Sequence, residues 1–340
     1  MSNPTEEHLV QIASVHVNDI VHKAIEHQPD QNMLVVFDEE SRLSRILTHA
    51  YKASFPDAQF LEFKEDNKAA ILDAFETMQE KDLVVLVQSA DFRLDEFRIR
   101  LHLFNKGIKV VEHRHLLRNA EETDETYINA LSYDPAWYRG EGHKLKDILA
   151  GIEKLEIKCG EHTLTVTGGL EDPKPNLGDY REMKNVGGSF PIGEVFTEAR
   201  DLASVNGSLL IYSFADVDFN IAMHEPFRID IVDGLVVGWA DNTPQAFVDV
   251  IEKIKTNERP IMREIGFGMN RAITREKYLN DITAFERILG LHVSLGEKHT
   301  IYKKEGITAK KTRFHVDLFL DTTTVIADGK VLFENGTYIL

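Results

Sequence analysis

The sequence predicts an α/β chain: an N-terminal layered α/β domain with a mostly parallel sheet over residues 1–155, then a β-rich α+β domain over residues 156–340. Three observations carry this expectation. In the first part, short continuous apolar runs alternate with segments of helical length, the pattern of buried parallel strands between helices. In the second, period-two alternation and two Asp-Gly turn signals dominate. The chain's 340 residues also exceed the size at which a single hydrophobic core stops growing, so two domains are expected.

Taken in order, residues 6–27 read as a helix whose apolar side packs on the domain or on a second subunit. Residues 34–37, 83–87 and 108–111 read as buried strands, and 41–54 and 67–80 as helices with apolar residues every three to four positions. After Phe37 comes Asp38-Glu39-Glu40-Ser41-Arg42 rather than a glycine-rich turn, so a Rossmann-type cofactor site is not expected and this half reads as a scaffold or as shaping a substrate site. His113 and His115 have ligand spacing but no carboxylate pair nearby, which assigns them to a loop or interface. Gly187-Gly188-Ser189 resembles part of a nucleophile turn but lacks a histidine–acid partner. Residues 155–166 alternate as a strand and 208–214 form another. Hairpins are expected at Asp233-Gly234 and at Asp328-Gly329, with helices over 244–255 and 280–289.

Lys and Arg number 39 against 56 Asp and Glu, a net charge of −17, which disfavours binding to nucleic-acid backbones. The basic cluster at 303–313 is short and reads as a solvated turn between strands. One cysteine, Cys159, allows no internal disulfide and no thiolate metal cluster, and it fits a reducing compartment. The first residues lack the basic and apolar regions of a signal peptide, and no apolar run has membrane-spanning length; a cytoplasmic location is expected.

The chemistry concentrates in the second half, which has no H-E-x-x-H, G-x-S-x-G or Walker sequence. Four segments stand out: Gly193-Glu194-Val195-Phe196-Thr197, Glu264-Ile265-Gly266-Phe267-Gly268-Met269-Asn270, His292 to His299, and His315-Val316-Asp317. On a strand, His315 and Asp317 share a face about 7 Å apart and can converge on one ion. This mixed oxygen and nitrogen set suits Zn²⁺, Co²⁺, Mn²⁺ or Fe²⁺ rather than Ca²⁺. Each segment also has an ordinary reading: a hydrogen-bonded H-x-D pair, a solvated Glu194, a Glu264 facing water, a core His292 satisfied by a carbonyl.

In order and wording, the four segments resemble those of the M29 metallopeptidase family, the thermophilic aminopeptidases. The resemblance covers residues 180–340. It implies that Glu194, Glu264, His292, His315 and Asp317 are metal ligands for two divalent ions, and that the chain removes N-terminal residues from peptides as a homodimer. It implies a catalytic carboxylate between the second and third segments, for which Glu286 is the nearest residue. One departure is informative. The family's tyrosine seven residues after the histidine is His299 here, which would donate to an oxyanion as imidazolium, ligate metal or act as base, with Tyr302 as a further substitute. The segments also resemble an iron-dependent ring-cleaving dioxygenase of dihydroxypyridines, whose Fe²⁺ site uses two histidines and an aspartate. That enzyme has a histidine in place of Glu264. A third implication is a non-catalytic metal-binding relative.

Overall fold

The computed structural model describes residues 4–94, 98–218, 220–299, 301–307 and 312–340. The chain packs as two units. One comprises Met1–Arg139, Leu177–Ile192 and Arg271–Ala284; the other comprises Gly140–Asn176, Gly193–Asn270 and Phe285–Leu340.

The first unit is α/β. Strands β1 (Met33–Phe37), β2 (Gln59–Glu62), β3 (Leu83–Val87) and β4 (Lys109–His113) pair in parallel in the order β2-β1-β3-β4. Every residue of β1, β3 and β4 is buried, as two covered faces require. On one face Leu34, Val36, Val84, Leu86 and Val110 pack with Ile71, Phe75 and Leu103. The helix Arg42–Ser54 starts where its sequence supplies a cap: Ser41 and Ser44 exchange side-chain to backbone hydrogen bonds as a capping box. The sheet is completed from a distant part of the chain. Gly187–Phe190 pairs with β4 in parallel, so the stretch resembling a nucleophile turn is a strand.

The second unit is built on an antiparallel sheet. In chain order its strands are β5 (Lys154–Cys159), β6 (His162–Thr167) and β7 (Lys174–Asn176); then, past β8 (Gly187–Phe190) of the first unit, β9 (Glu194–Thr197), β10 (Asn206–Ala215), β11 (Ile221–Val232) and β12 (Leu235–Trp239). They continue with β13 (Met262–Gly268), β14 (Gly290–Leu295), β15 (Val316–Leu320), β16 (Thr324–Ala327), β17 (Lys330–Glu334) and β18 (Thr337–Tyr338). The order is β18-β17-β16-β5-β6-β10-β15-β14-β13-β9-β7, with β11 and β12 branching from β10. Both Asp-Gly hairpins form. Asp233 and Gly234 have φ of 52° and 76°, the left-handed pair that a two-residue turn between right-twisted strands demands.

Four details differ from the expectations. Residues 155–166 are a hairpin of β5 and β6, not one strand. The helix expected over 280–289 is a single turn, Ile282–Phe285; Asp281 before it pairs with His115 and Arg118, and Glu286 and Arg287 after it enter ion pairs of their own. His113 is not a loop residue; it is fully buried in β4, with Nε2 2.9 Å from the Tyr51 hydroxyl and Nδ1 3.4 Å from that of Tyr127, and burial pulls its pKa down to about 3. Lys304, within the basic cluster, is not solvated: its Nζ lies 2.5 Å from Glu171 and 3.3 Å from Glu198. Residues 308–311 of that cluster lie outside the described ones. No helix among the described residues is long and apolar enough to cross a membrane.

Candidate metal centre

Strand register gathers the chemistry on one face. β13 lies between β9 and β14, and β14 between β13 and β15. Glu194 sits opposite Gly268 and His292 opposite Gly266, while Ser294 sits opposite both Glu264 and Asp317. Side chains at alternate positions share a face, so Glu194, Glu264, His292, His315 and Asp317 converge. Gly266 is what admits the imidazole. A Cβ there would stand 2.0 Å from His292 Cε1 and 2.3 Å from Nε2, so any side chain at 266 displaces the ring.

All seven residues singled out in the sequence come together. Glu264 is 7% exposed, Asp317 4%, Glu194 3% and His292 0%. His292 Nε2 lies 3.3 Å from Glu194 Oε1 and 3.6 Å from Glu264 Oε1. His315 Nε2 lies 3.2 Å from Asp317 Oδ1 and 3.8 Å from Glu264 Oε1. His299 Nε2 lies 2.9 Å from Glu264 Oε2. Glu286 is half-buried beside these groups and accepts an ion pair from Arg287 Nη2 at 2.8 Å; Arg287 Nη1 contacts Glu194 Oε2. A cavity of about 310 Å³ opens onto Glu194, Glu264, Glu286, His299 and His315, with Phe196, Ile301 and Lys298 in its wall.

Sequence reasoning missed the groups that hold this arrangement. Arg263, fully buried on β13, donates to Glu198 at 2.8 Å and to the carbonyls of Glu297 at 2.6 Å and Tyr302 at 2.9 Å. Glu258 accepts from the amides of Glu297 at 2.9 Å and Phe314 at 3.2 Å. Together they tether the loop carrying His299 and the approach to His315. A second charged residue beside Glu264 in a strand otherwise made of Met, Ile, Phe and Gly was the available signal for Arg263, since burial without partners is prohibitive.

His299 has a defined tautomer. The amides of Ile301 and Tyr302 donate to its Nδ1 at 3.2 and 3.3 Å, so the ring proton of the neutral imidazole is on Nε2, aimed at Glu264. In that tautomer the Nε2–H points at Glu264 Oε2, 2.9 Å away. Tyr302 does not substitute, because its hydroxyl donates to the Asp172 carbonyl at 2.8 Å.

The titrations express one imbalance, several carboxylates close together out of water. Burial would raise Glu264, but His292, His299 and the charge of His315 outweigh it and hold its carboxyl well below the usual range. Burial would lower His292 and His315, yet the carboxylates against them raise both, His315 to about 10. Glu286 is pushed up to about 8 by burial, aided by Glu194 and Asp317 and opposed by Arg287. The cluster thus binds protons where a divalent cation could take their place.

The residues fit such a cation. Glu194, Glu264 and His292 offer donor atoms all within 4.8 Å of one another, and so do Glu264, His315 and Asp317. His292 Nε2 and Asp317 Oδ1 are buried and close to opposite charges, yet neither makes a hydrogen bond. Donors near one another without hydrogen-bond geometry are arranged as around a point between them. Oxygen and imidazole donors suit Zn²⁺, Co²⁺, Mn²⁺ or Fe²⁺.

Comparison with known proteins bears on the fold. The chain matches no family model and no curated protein. Its fold is that of two known enzymes. One is the 2,5-dihydroxypyridine dioxygenase from Pseudomonas putida KT2440, at a TM-score of 0.63 and 15% identity over 99% of this chain and 98% of that one. The other is AmpT from Thermus thermophilus, an M29 aminopeptidase T, at 0.59 and 13% over 97% and 99%. At these identities the likeness is one of fold, and the M29 resemblance stands as a distant structural relationship.

Two outcomes follow from the geometry. Gly266→Ala should weaken divalent-metal binding at least about tenfold by displacing His292, with the fold retained; dialysis against Zn²⁺ or Mn²⁺ checks this, and unchanged affinity would refute the cradle. The pH dependence has a definite sign. Folded His315 and Glu286 hold protons that the unfolded chain, at 6.5 and 4.5, releases, so stability from these groups is present at low pH and lost as pH rises through about 8 to about 10. Chelator-treated protein should melt at progressively lower temperature from about pH 6 to about pH 9, and a rising melting temperature would contradict the assignment.

Proposed function

We propose that this chain is a metal-dependent hydrolase of the aminopeptidase type, acting on the N-terminal residue of peptides through a dinuclear centre. The observation carrying this reading is that Glu264 belongs to both donor groups. A carboxylate common to both groups would let Glu264 serve two divalent ions at once. Glu194 and His292 would complete one position, His315 and Asp317 the other. Bound divalent ions would acidify a water and polarise a carbonyl.

The chain's own residues supply the rest. Glu286, beside the donors, would act as a carboxylate that takes a proton from water and hands it to the leaving amine; without metal its carboxyl is held up at about 8 by burial, and bound cations would favour the ionised form that this step needs. His299, whose Nε2–H points at Glu264 Oε2, would turn that hydrogen bond to negative charge developing beside Glu264 once a bound ion engages the carboxylate. The net charge of −17 favours a cationic peptide terminus. The homodimer and the cytoplasmic setting implied by the sequence belong to the same proposal.

A second reading rests on a specific observation: three imidazoles, those of His292, His299 and His315, lie within 3.8 Å of Glu264 oxygens. That nitrogen-rich environment suits a single Fe²⁺ held by His315 and Asp317 beside Glu264, in a fold that a dioxygenase shares. Metal analysis and two assays separate the readings. Hydrolysis of an aminoacyl-anilide that depends on Zn²⁺, Co²⁺ or Mn²⁺, and is lost with metal in Glu264→Ala, supports the hydrolase. Iron-dependent O₂ uptake with a dihydroxypyridine, without anilide hydrolysis, replaces it. For the hydrolase, His299→Phe should lower kcat about 10²–10³-fold while His299→Tyr retains activity, and equal loss in both would remove the donor role.

A further inference from the structure

The two donor groups are not equivalent, and the reason is Arg287. Its side chain is 10% exposed and its guanidinium is committed on every nitrogen. Nη1 contacts Glu194 Oε2, Nη2 reaches Glu286 Oε1 at 2.8 Å, and the Asn176 amide oxygen, turned toward it, accepts from Nε at 3.3 Å and Nη2 at 3.1 Å. A permanent positive charge is thus fixed against one oxygen of Glu194, whose other oxygen faces His292. Among the described residues no guanidinium or ammonium contacts Glu264, His315 or Asp317, whose near neighbours are imidazoles and one another.

We propose that Arg287 makes metal loading unequal, so that one divalent ion binds tightly at Glu264, His315 and Asp317, while a second ion at Glu194, Glu264 and His292 competes with the resident guanidinium and binds weakly. This rests on the reading of the cluster as a divalent-metal centre and deepens it by setting order and stoichiometry. Two physical effects act together. Like charges repel strongly where water is scarce, and a guanidinium beside Glu194 is a fixed charge that an incoming dication meets at close range. The contact also takes one of the two Glu194 oxygens, leaving a single donor atom from that residue. Displacing Arg287 is costly in turn, since it would leave Glu286 without its cationic partner and the guanidinium without its hydrogen bonds. The working enzyme would be singly loaded at low metal concentration and doubly loaded only at high concentration, an internal control of activity by metal supply.

The test is a titration of the full-length, chelator-stripped chain with Mn²⁺, read as ions bound at equilibrium and by electron paramagnetic resonance, which separates an isolated Mn²⁺ from a spin-coupled pair. Wild type should bind one ion tightly, with an isolated-ion spectrum, and a second at least about tenfold more weakly. Arg287→Gln, which keeps hydrogen-bonding capacity but removes the charge, should tighten the second ion at least about tenfold and bring the coupled signal in at lower Mn²⁺, whereas Arg287→Lys should stay close to wild type. Two ions of equal affinity in wild type would overturn the proposal while leaving the metal-centre reading intact. So would Arg287→Lys and Arg287→Gln behaving alike. No Mn²⁺ bound by wild type would overturn both. The wild-type titration decides the central claim even if the glutamine variant does not fold.

Discussion

Glu264 is a carboxylate set in the middle of an antiparallel sheet, 7% exposed, with oxygens that three imidazoles approach. A charge in that position must be matched, and much of the second unit can be understood as supplying the match. Gly266 gives up its side chain so that the His292 ring can lie across β13. Arg263 and Glu258 spend their own buried charges on the backbone of the loop that brings His299 to the carboxylate. His315 and Asp317 reach the same face because β15 pairs with β14 in a register that leaves Ser294, not a bulky side chain, between them and β13.

The same imbalance links stability to chemistry. Without metal, protons on histidines and on Glu286 neutralise the carboxylates, and Arg287 neutralises Glu194. These are the groups that an ion would discharge on binding, so the folded metal-free chain is already organised for the exchange of protons for a cation. Arg287 differs from the others because it does not titrate. Its charge persists when the histidines have lost theirs, which is why it divides the centre into unequal halves.

The first unit plays a different physical part. Its polar interior, Tyr51–His113–Tyr127 and the Asp38–Ser89 pair, is satisfied by internal hydrogen bonds: the Ser89 hydroxyl donates to Asp38, and the Ser89 amide does so at 2.8 Å. A neutral, buried His113 between two phenols reads as a packing element with its polar atoms paired. The absence of a glycine-rich turn after Phe37 accords with this, since that position is occupied by the acidic side chain that Ser89 caps.

The sequence by itself determined the fold class, and it singled out the residues that the sheet gathers on one face. Continuous apolar runs such as Leu83–Val87 are buried on both faces wherever helices cover a sheet, and Asp-Gly pairs turn hairpins because few other residues accept two left-handed conformations in succession. Local rules of this kind act over a few residues and can be read from them. The ordered segments around Glu194, Glu264, His292 and His315 were legible through their resemblance to the M29 segments, whereas their spacing alone left ordinary readings open. What only the tertiary structure decided is everything that depends on register between distant strands: that Glu264 is common to two donor groups, that His299 keeps its proton on Nε2 through the amides of Ile301 and Tyr302, that Tyr302 is committed elsewhere, and that Arg287 lies on Glu194. Residues 194 and 287 are 93 positions apart, and no periodicity spans that distance. Their meeting is set by how β9, β13 and β14 align, and alignment is a property of the packed sheet.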